Sequence, residues 1–228
     1  MRLLIISILI FTAMFPVFAE GDSLYIHAVT GLKMRENPSE KSKVINSFPY
    51  GAKVEKIETS QIISNISGFT DYWIKVKSKN KIGYMYGGFL SRLPTPKNNE
   101  SESSIKEYLK INKIKFKLQE SSTDEAVITT LIKLNKYSIE EIFLIYKKLL
   151  VDFSEKINSN SSKENFSFKI KPELPPNLLA YKIEREKSGK WKSFEIKIEW
   201  GASGSTLDIE VKKKGKKEIL IKEVFALP

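Results

Sequence analysis

The stretch that decides the fold of the first half of the chain is YWIKVKSKNKIGYMY, residues 72–86. It contains two alternating runs, Tyr72–Lys77 and Lys81–Tyr86, separated by a short polar turn, which is typical of a β-hairpin. Ile74 and Val76 fall on one face of the first strand, and Trp73 falls on the other.

Similar short runs, bounded by Gly, Pro, Asn or Ser, occupy the rest of the region from Ser23 to Leu93. Their regular spacing predicts a small all-β barrel. The predicted strands are Leu24–Val29, Leu32–Arg35, Val44–Phe48, Ala52–Thr59, Tyr72–Lys77 and Lys81–Tyr86.

Several blocks in this region resemble the bacterial SH3 (SH3b) family, in the family's order. GLKMRENPS at residues 31–39 is similar to the family's opening motif, and KVI at 43–45 and YGAKVE at 50–55 are similar to the segment that follows it. YWIKV at 72–76 and KIGYMY at 81–86 resemble its Trp-containing and closing strands. The resemblance covers about residues 24–93 and implies an SH3-like barrel that binds rather than catalyses, commonly to cell-wall peptides in exported bacterial proteins.

The chain departs from the family pattern at two places. Met34 stands where Val is usual, and a long insertion, Ser60–Asp71, precedes the Trp-containing strand. We expect this insertion to lie where a loop would line the ligand groove.

Residues 1–19 have the pattern of a signal peptide. Arg2 is followed by an apolar run to Phe15, and Ala19 supplies a small residue before Glu20. The alternative is an uncleaved membrane anchor, but the run is shorter than the roughly 20 residues that span a bilayer. We predict export to the periplasm or cell surface of a bacterium, with no transmembrane segment after cleavage.

Composition excludes several classes of site. The 228 residues include 38 Lys and Arg against 27 Asp and Glu, a net charge of +11, with no Cys and a single histidine, His27. Disulfides, thiol nucleophiles, thiolate metal sites and zinc sites with several imidazoles are therefore excluded. We predict no cofactor, no metal and, for an exported protein, no nucleic-acid partner. His27 is interpreted as a packed or surface residue.

Residues 94–104 contain no apolar side chain and are interpreted as a linker, which predicts that the two halves are independent. The predicted division is a signal peptide at 1–19, an SH3b-like domain at 20–93, the linker, and a domain of unknown function at 105–228. The predicted fold class is mainly β plus α+β.

The second half is predicted to be an α+β domain in which a helical hairpin packs on an antiparallel β-meander. Ser138 with Glu141 has the spacing of a capping box before an amphipathic helix at 139–157, and a shorter helix is predicted at 123–135. An isolated strand is predicted at 114–118 and a polar loop at 158–165. The four alternating segments of the meander contain Tyr181/Ile183, Phe194/Ile196/Ile198, Leu207/Ile209/Val211 and Ile219/Ile221.

Aromatic side chains in the barrel are candidates for a ligand groove, since flat rings give contact area at low entropy cost. About half of them are expected to be barrel core, Trp73 most of all. The predicted ligand-binding residues are Tyr50, Tyr72, Tyr84, Tyr86 and Phe89. A basic hairpin tip is interpreted either as a solvated turn or as a contact for an anionic polymer, and consists of Lys212, Lys213, Lys214, Lys216 and Lys217.

Three functions remain open. The leading hypothesis is a non-enzymatic binding protein whose SH3b module attaches to cell-wall peptide, peptidoglycan or an envelope protein. The alternative is an assembly factor that docks to a protein partner through the second domain. The least favoured is a cell-wall hydrolase that uses two carboxylates, for which Glu140, Glu141 and Glu164 are the candidates, although Glu141 is better explained as a helix cap.

Overall fold

The structure is a computed structural model. It describes residues 22–97, 104–124, 126–150, 165–169, 178–200, 203–215 and 218–228. The predicted signal peptide, most of the predicted loop at 158–165, Glu164 and two of the tip lysines, Lys216 and Lys217, lie outside the described residues.

The first half forms one antiparallel sheet of seven strands that curls into a small barrel. The sheet has the order β3-β2-β6-β5-β4-β1-β7. The strands are β1 (Ser23–Ile26), β2 (Leu32–Arg35), β3 (Val44–Phe48), β4 (Lys53–Ile66), β5 (Phe69–Ser78), β6 (Lys81–Tyr86) and β7 (Leu90–Ser91), with a short 3-10 helix at Gly87–Phe89 before β7. The six strands predicted from the sequence are all present, and β4 and β5 are longer than predicted.

The barrel has its own apolar core. Ile74 and Val76 of β5 and Met85 of β6 are buried in it, because alternate residues of a strand face the same side. The remaining buried members are Leu24, Ile26, Met34, Val54 and Leu90.

The second half is a second antiparallel sheet of seven strands covered by two short helices. Its order is β10-β11-β12-β13-β14-β9-β8. The helices are α1 (Ile105–Ile111) and α2 (Ile139–Leu149), and the strands are β8 (Lys117–Asp124), β9 (Val127–Asn135), β10 (Asn165–Lys169), β11 (Leu178–Arg185), β12 (Trp191–Trp200), β13 (Ser205–Lys214) and β14 (Glu218–Ala226). The predicted meander is confirmed as β11 to β14, and α2 packs on β12 and β13.

The helix predicted at 123–135 is wrong. This segment is strand β9, paired with β8 on one side and β14 on the other. Ile132 and Leu134 are buried on one face, as strand alternation requires. The run Val127 to Thr130 is β-branched throughout, and such residues favour strands over helices. The predicted helical hairpin is therefore only partly present: α1 and α2 are in contact, and the fold is mostly β.

Helix α2 confirms the predicted capping box. Ser138 Oγ accepts a hydrogen bond from the Glu141 backbone N–H, and the Glu141 side chain accepts one from the Ser138 backbone N–H. The helix ends with Leu150 as its C-cap, and the predicted extension to residue 157 lies outside the described residues. The strand predicted at 114–118 begins at Lys117 and continues to Asp124 as β8.

The two halves share a hydrophobic core. Phe69, Trp73 and Tyr86 of the barrel belong to the same buried cluster as Phe143 and Trp191 of the second half. The independence of the halves, which the polar linker predicted, is contradicted by this contact. The linker pattern was misleading because the halves meet through the barrel wall, and the described start of the linker also contacts the second half, where the Tyr108 hydroxyl donates to the Pro94 backbone oxygen at 2.6 Å.

Candidate ligand groove

The outer face of the barrel carries aromatic side chains that are almost completely buried. Trp73 of β5 lies directly opposite Tyr86 of β6 in the strand register, and both side chains point away from the barrel core. Both are 2% exposed. The prediction that Trp73 is barrel core is wrong, because it occupies the face of β5 opposite to Ile74 and Val76 and joins the shared core instead.

A groove of about 260 Å³ opens over this surface. Its floor includes Trp73, Tyr86 and Phe89, and its apolar sides are Ile66, Leu32 and Phe48. The polar members of its lining are Thr30, Lys33, Arg35, Glu40 and Ser47. The groove therefore combines an aromatic floor with a rim that carries charges of both signs.

Hydrogen bonds fix the floor in place. Trp73 Nε1 donates to Ser64 Oγ at 2.9 Å, and the Tyr86 hydroxyl donates to the backbone oxygen of Ser64 at 3.0 Å. The backbone oxygen of Phe69 is also within hydrogen-bond distance of this hydroxyl, so its single proton is shared between the two carbonyl oxygens. Burial raises the pKa of Tyr86 well above its usual range, so the hydroxyl stays protonated and remains a donor.

Arg35 fixes the rim. Its Nη1 donates to the Ser42 backbone oxygen at 2.6 Å, which holds the turn between β2 and β3 against the barrel. A guanidinium suits this role because its donors lie in a rigid planar fork.

The predicted site residues divide into three groups. Tyr86 and Phe89 line the groove, and Tyr84 lies on the same face of β6 with Lys75 Nζ 5.9 Å from its ring centroid. Tyr72 packs against the barrel core, and Tyr50 lies elsewhere, with its hydroxyl 3.5 Å from the Pro96 backbone oxygen. The predicted convergence of Tyr50 with the other rings is therefore absent from this groove.

The insertion, Ser60–Asp71, is not a separate loop. It extends β4 and β5 into a hairpin whose turn is Ser67 and Gly68, both with positive φ, and we call it the arm. Ile66 near the tip of the arm lines the groove.

The tip of the arm contacts the second half. The rings of Phe69 and Trp191 are stacked with centroids 5.2 Å apart, and Trp191 Nε1 donates to the Gly68 backbone oxygen at 3.1 Å. Asp71 and Lys190 form an ion pair at 2.8 Å. The arm therefore shapes the groove and at the same time holds the second half.

Sequence reasoning missed part of the groove. Trp73 was assigned to the core, and Ile66, Lys33 and Glu40 were not singled out. The alternation of β5 already placed Trp73 opposite Ile74, and this signal would have found it. The contributions of Lys33 and Glu40 depend on how β2, β3 and their connecting turn fold over the outer face, which no local pattern reports.

Two of the three carboxylates considered for catalysis, Glu140 and Glu141, are among the described residues, and both accept backbone hydrogen bonds. Glu140 Oε1 accepts from the Trp191 backbone N–H at 2.9 Å. Glu141, besides capping α2, accepts from Ser91 Oγ at 2.7 Å and from the Arg92 backbone N–H at 3.2 Å. Both therefore have structural partners at the junction of the halves.

His27 is packed in the interior, which is one of the two positions that the sequence left open for it, packed or at the surface. It is 4% exposed, and its Nε2 lies 2.9 Å from the Leu93 backbone oxygen, while Nδ1 is buried without a partner. Burial lowers the pKa of His27 to about 4, so the ring is neutral near pH 7 and Nε2 is the donor.

The basic tip is a turn between β13 and β14, with Gly215 at positive φ. Lys212 pairs with Glu210 at 2.7 Å and Lys213 with Glu186 at 2.6 Å, so part of the positive charge of the tip is compensated locally.

In the described ranges, no group of three or more His, Asp or Glu is arranged to hold a metal ion. No helix of the described residues has the length and apolar character needed to cross a membrane.

Comparison with known proteins identifies one part of the chain. Residues 30–91 match the family model of the bacterial SH3 domain, which confirms the resemblance seen in the sequence. The chain thus carries a bacterial SH3 domain over these residues. No curated protein and no solved structure matched the chain.

Proposed function

We propose that this protein is an exported, non-enzymatic binding protein that attaches through its bacterial SH3 domain to cell-wall peptide or to an envelope protein. The observation that carries the proposal is the groove over Trp73 and Tyr86, on a domain whose family is associated with the cell wall. Export is supported by the pattern of residues 1–19.

The lining of the groove suits a peptide ligand. Aromatic floors bury the apolar parts of a ligand, while a few placed polar groups fix its orientation. Lys33 and Arg35 can pair with a ligand carboxylate, and Glu40 can pair with an ammonium group. A short peptide with charged groups of both signs would use all three.

Binding is tested by sedimentation of the full chain with purified peptidoglycan. We expect Lys33→Glu to lower the bound fraction, because it reverses a charge in the groove lining. Lys53→Glu is the matched control: Lys53 is exposed on β4, does not line the groove, and the substitution changes the net charge equally. Neither change removes buried apolar surface, so both variants should fold.

The outcomes separate the hypotheses. An equal loss in both variants would assign binding to the overall positive charge and not to the groove. No binding by the unchanged protein would favour a protein partner. Release of soluble muropeptides from the same incubation would contradict the non-enzymatic assignment.

A further inference from the structure

A carboxylate interrupts the apolar inner face of the second sheet. On β14, the positions that face the helices are Ile219, Ile221, Glu223 and Phe225, and the first two are fully buried. Glu223 thus stands where strand alternation calls for an apolar residue. Glu223 is partly buried, and taking a carboxylate even partly out of water costs free energy unless it is paired, so its presence here needs a partner.

The surroundings of Glu223 supply one hydrogen-bond donor and one more distant charge. The buried Tyr146 hydroxyl of α2 donates to Glu223 Oε1 at 2.7 Å. In the register, Ile209 of β13 and Thr130 of β9 flank it. Burial raises the pKa of Glu223, while the hydrogen bond from Tyr146 and the charge of Lys106 act in the opposite direction. Lys106 lies on α1 and is itself paired with Glu120 at 2.7 Å.

A cavity of about 200 Å³ lies beside this pair, under the C-terminal end of α2. Its walls are mostly apolar, and its polar lining consists of Ser104, Thr130, Tyr146 and Glu223. A cavity of roughly 150 Å³ is enough to hold benzene, so this one has room for a short aliphatic chain. The main apolar members are Ile105, Ile128, Leu149, Leu150, Leu207 and Phe225.

We propose that this cavity binds an alkylammonium group, a protonated primary amine on a short aliphatic chain. The ammonium group pairs with the carboxylate of Glu223, of which Tyr146 occupies one oxygen, and the chain lies against Leu149 at the end of α2 and its C-cap Leu150. Charge decides the ligand class. A carboxylate ligand would be repelled by Glu223, and an alcohol of the same length would gain a hydrogen bond but no ion pair.

This site is separate from the groove of the barrel. The two cavities have no lining residue in common. Loss of peptidoglycan binding and loss of amine binding can therefore be observed independently.

The test uses the full chain and n-hexylammonium as the probe, with hexanol and hexanoate for comparison, in calorimetric titration and thermal unfolding. We expect hexylammonium to bind and to raise the melting temperature, and hexanoate to do neither. Glu223→Gln keeps an acceptor for Tyr146 and removes the charge, so affinity should fall at least tenfold. The matched control is Glu210→Gln, the same change on β13 at a glutamate outside the cavity lining.

A second variant covers the case in which Glu223→Gln does not fold. Ile128 is 46% exposed in the cavity lining, and Ile128→Trp should block binding with little change in the fold. The proposal is overturned if hexylammonium does not bind the unchanged protein or if hexanoate binds equally well. It is also overturned if the Glu223→Gln and Ile128→Trp variants bind hexylammonium as tightly as the Glu210→Gln control.

Discussion

Phe69 and Trp191 join the two halves, and replacing them tests whether this contact couples the halves energetically. Their rings are nearly parallel, with 14° between the planes and 5.2 Å between the centroids. We choose Phe69→Leu and Trp191→Leu because leucine keeps an apolar side chain at each position while it removes the stacked ring.

The expected coupling follows from the geometry. Aromatic pairs contribute about 0.5–1.5 kcal/mol beyond the area that they bury. Trp191→Leu also removes the hydrogen bond to the Gly68 backbone oxygen, but that loss is the same in the single and the double variant and therefore cancels from the coupling free energy. We therefore expect a coupling free energy of about 1 kcal/mol between the two substitutions.

The measurement is a double-mutant cycle from urea unfolding of the full chain. Trp200→Leu serves as the control partner for Phe69→Leu. Trp200 lies nine residues beyond Trp191 on β12, which places it about 30 Å from Trp191 at roughly 3.3 Å per residue. Distant sites add to within about 0.3–0.5 kcal/mol. If Phe69→Leu and Trp191→Leu are as additive as the control pair, the contact does not couple the halves and our reasoning is wrong.

Three further predictions concern pH, capping and export. The pKa of His27 is lowered to about 4 from its ordinary 6.5, so its contribution to stability is complete above pH 6.5 and is lost as the pH falls towards 4. The free energy of unfolding should decrease by about 3 kcal/mol over that window. His27→Gln should remove that part of the pH dependence in urea unfolding, and an unchanged slope would contradict the assignment. Ser138→Ala should lower the free energy of unfolding by about 1 kcal/mol, because it removes the cap of α2. Glu141→Ala should lower it by more, because Glu141 also accepts hydrogen bonds from the barrel. Equal losses in the two variants would show that the bonds to the barrel contribute nothing. N-terminal sequencing of envelope protein should begin at or near Glu20, whereas a mature protein that starts at Met1 in the cytosol would contradict export.

The barrel could be predicted from the sequence because its signals are local. Each strand alternates over a few residues and ends at a residue suited to a turn, as at Gly31 and Gly51, both of which have positive φ. The capping box of α2 is local in the same sense, since Ser138 and Glu141 are three residues apart. Where neighbouring residues settle the conformation, the sequence was a sufficient guide.

The segment 123–135 could not be settled in the same way. Val127, Ile128, Leu131 and Leu134 fit one side of a helix, yet Ile128, Ile132 and Leu134 also fit one face of a strand. Pairing with β14 decides between them, because it satisfies the backbone of β9 along its whole length. That pairing joins residues about 90 positions apart and leaves no mark in a local window.

The candidate groove was predicted in part for the same reason. Tyr86 and Phe89 were identified because aromatic residues near strand ends commonly bind ligands. Trp73 was assigned to the barrel core although the alternation of β5 placed it on the face opposite to Ile74 and Val76. The structure has a second core outside the barrel wall, and Trp73 belongs to the same buried cluster as Phe143 and Trp191 of the other half.

The arm ties the groove to the second half of the chain. It is the part of the barrel that departs most from the family pattern, and its tip carries Gly68 and Phe69 against Trp191. The same arm contributes Ile66 to the groove and Ser64 to the hydrogen bonds of its floor. A fragment that ends at the linker would expose Phe69 and release the arm, so its groove would differ from that of the full chain. Binding measured on the isolated barrel would then report a different surface, because the contacts between the arm and the second half would be missing.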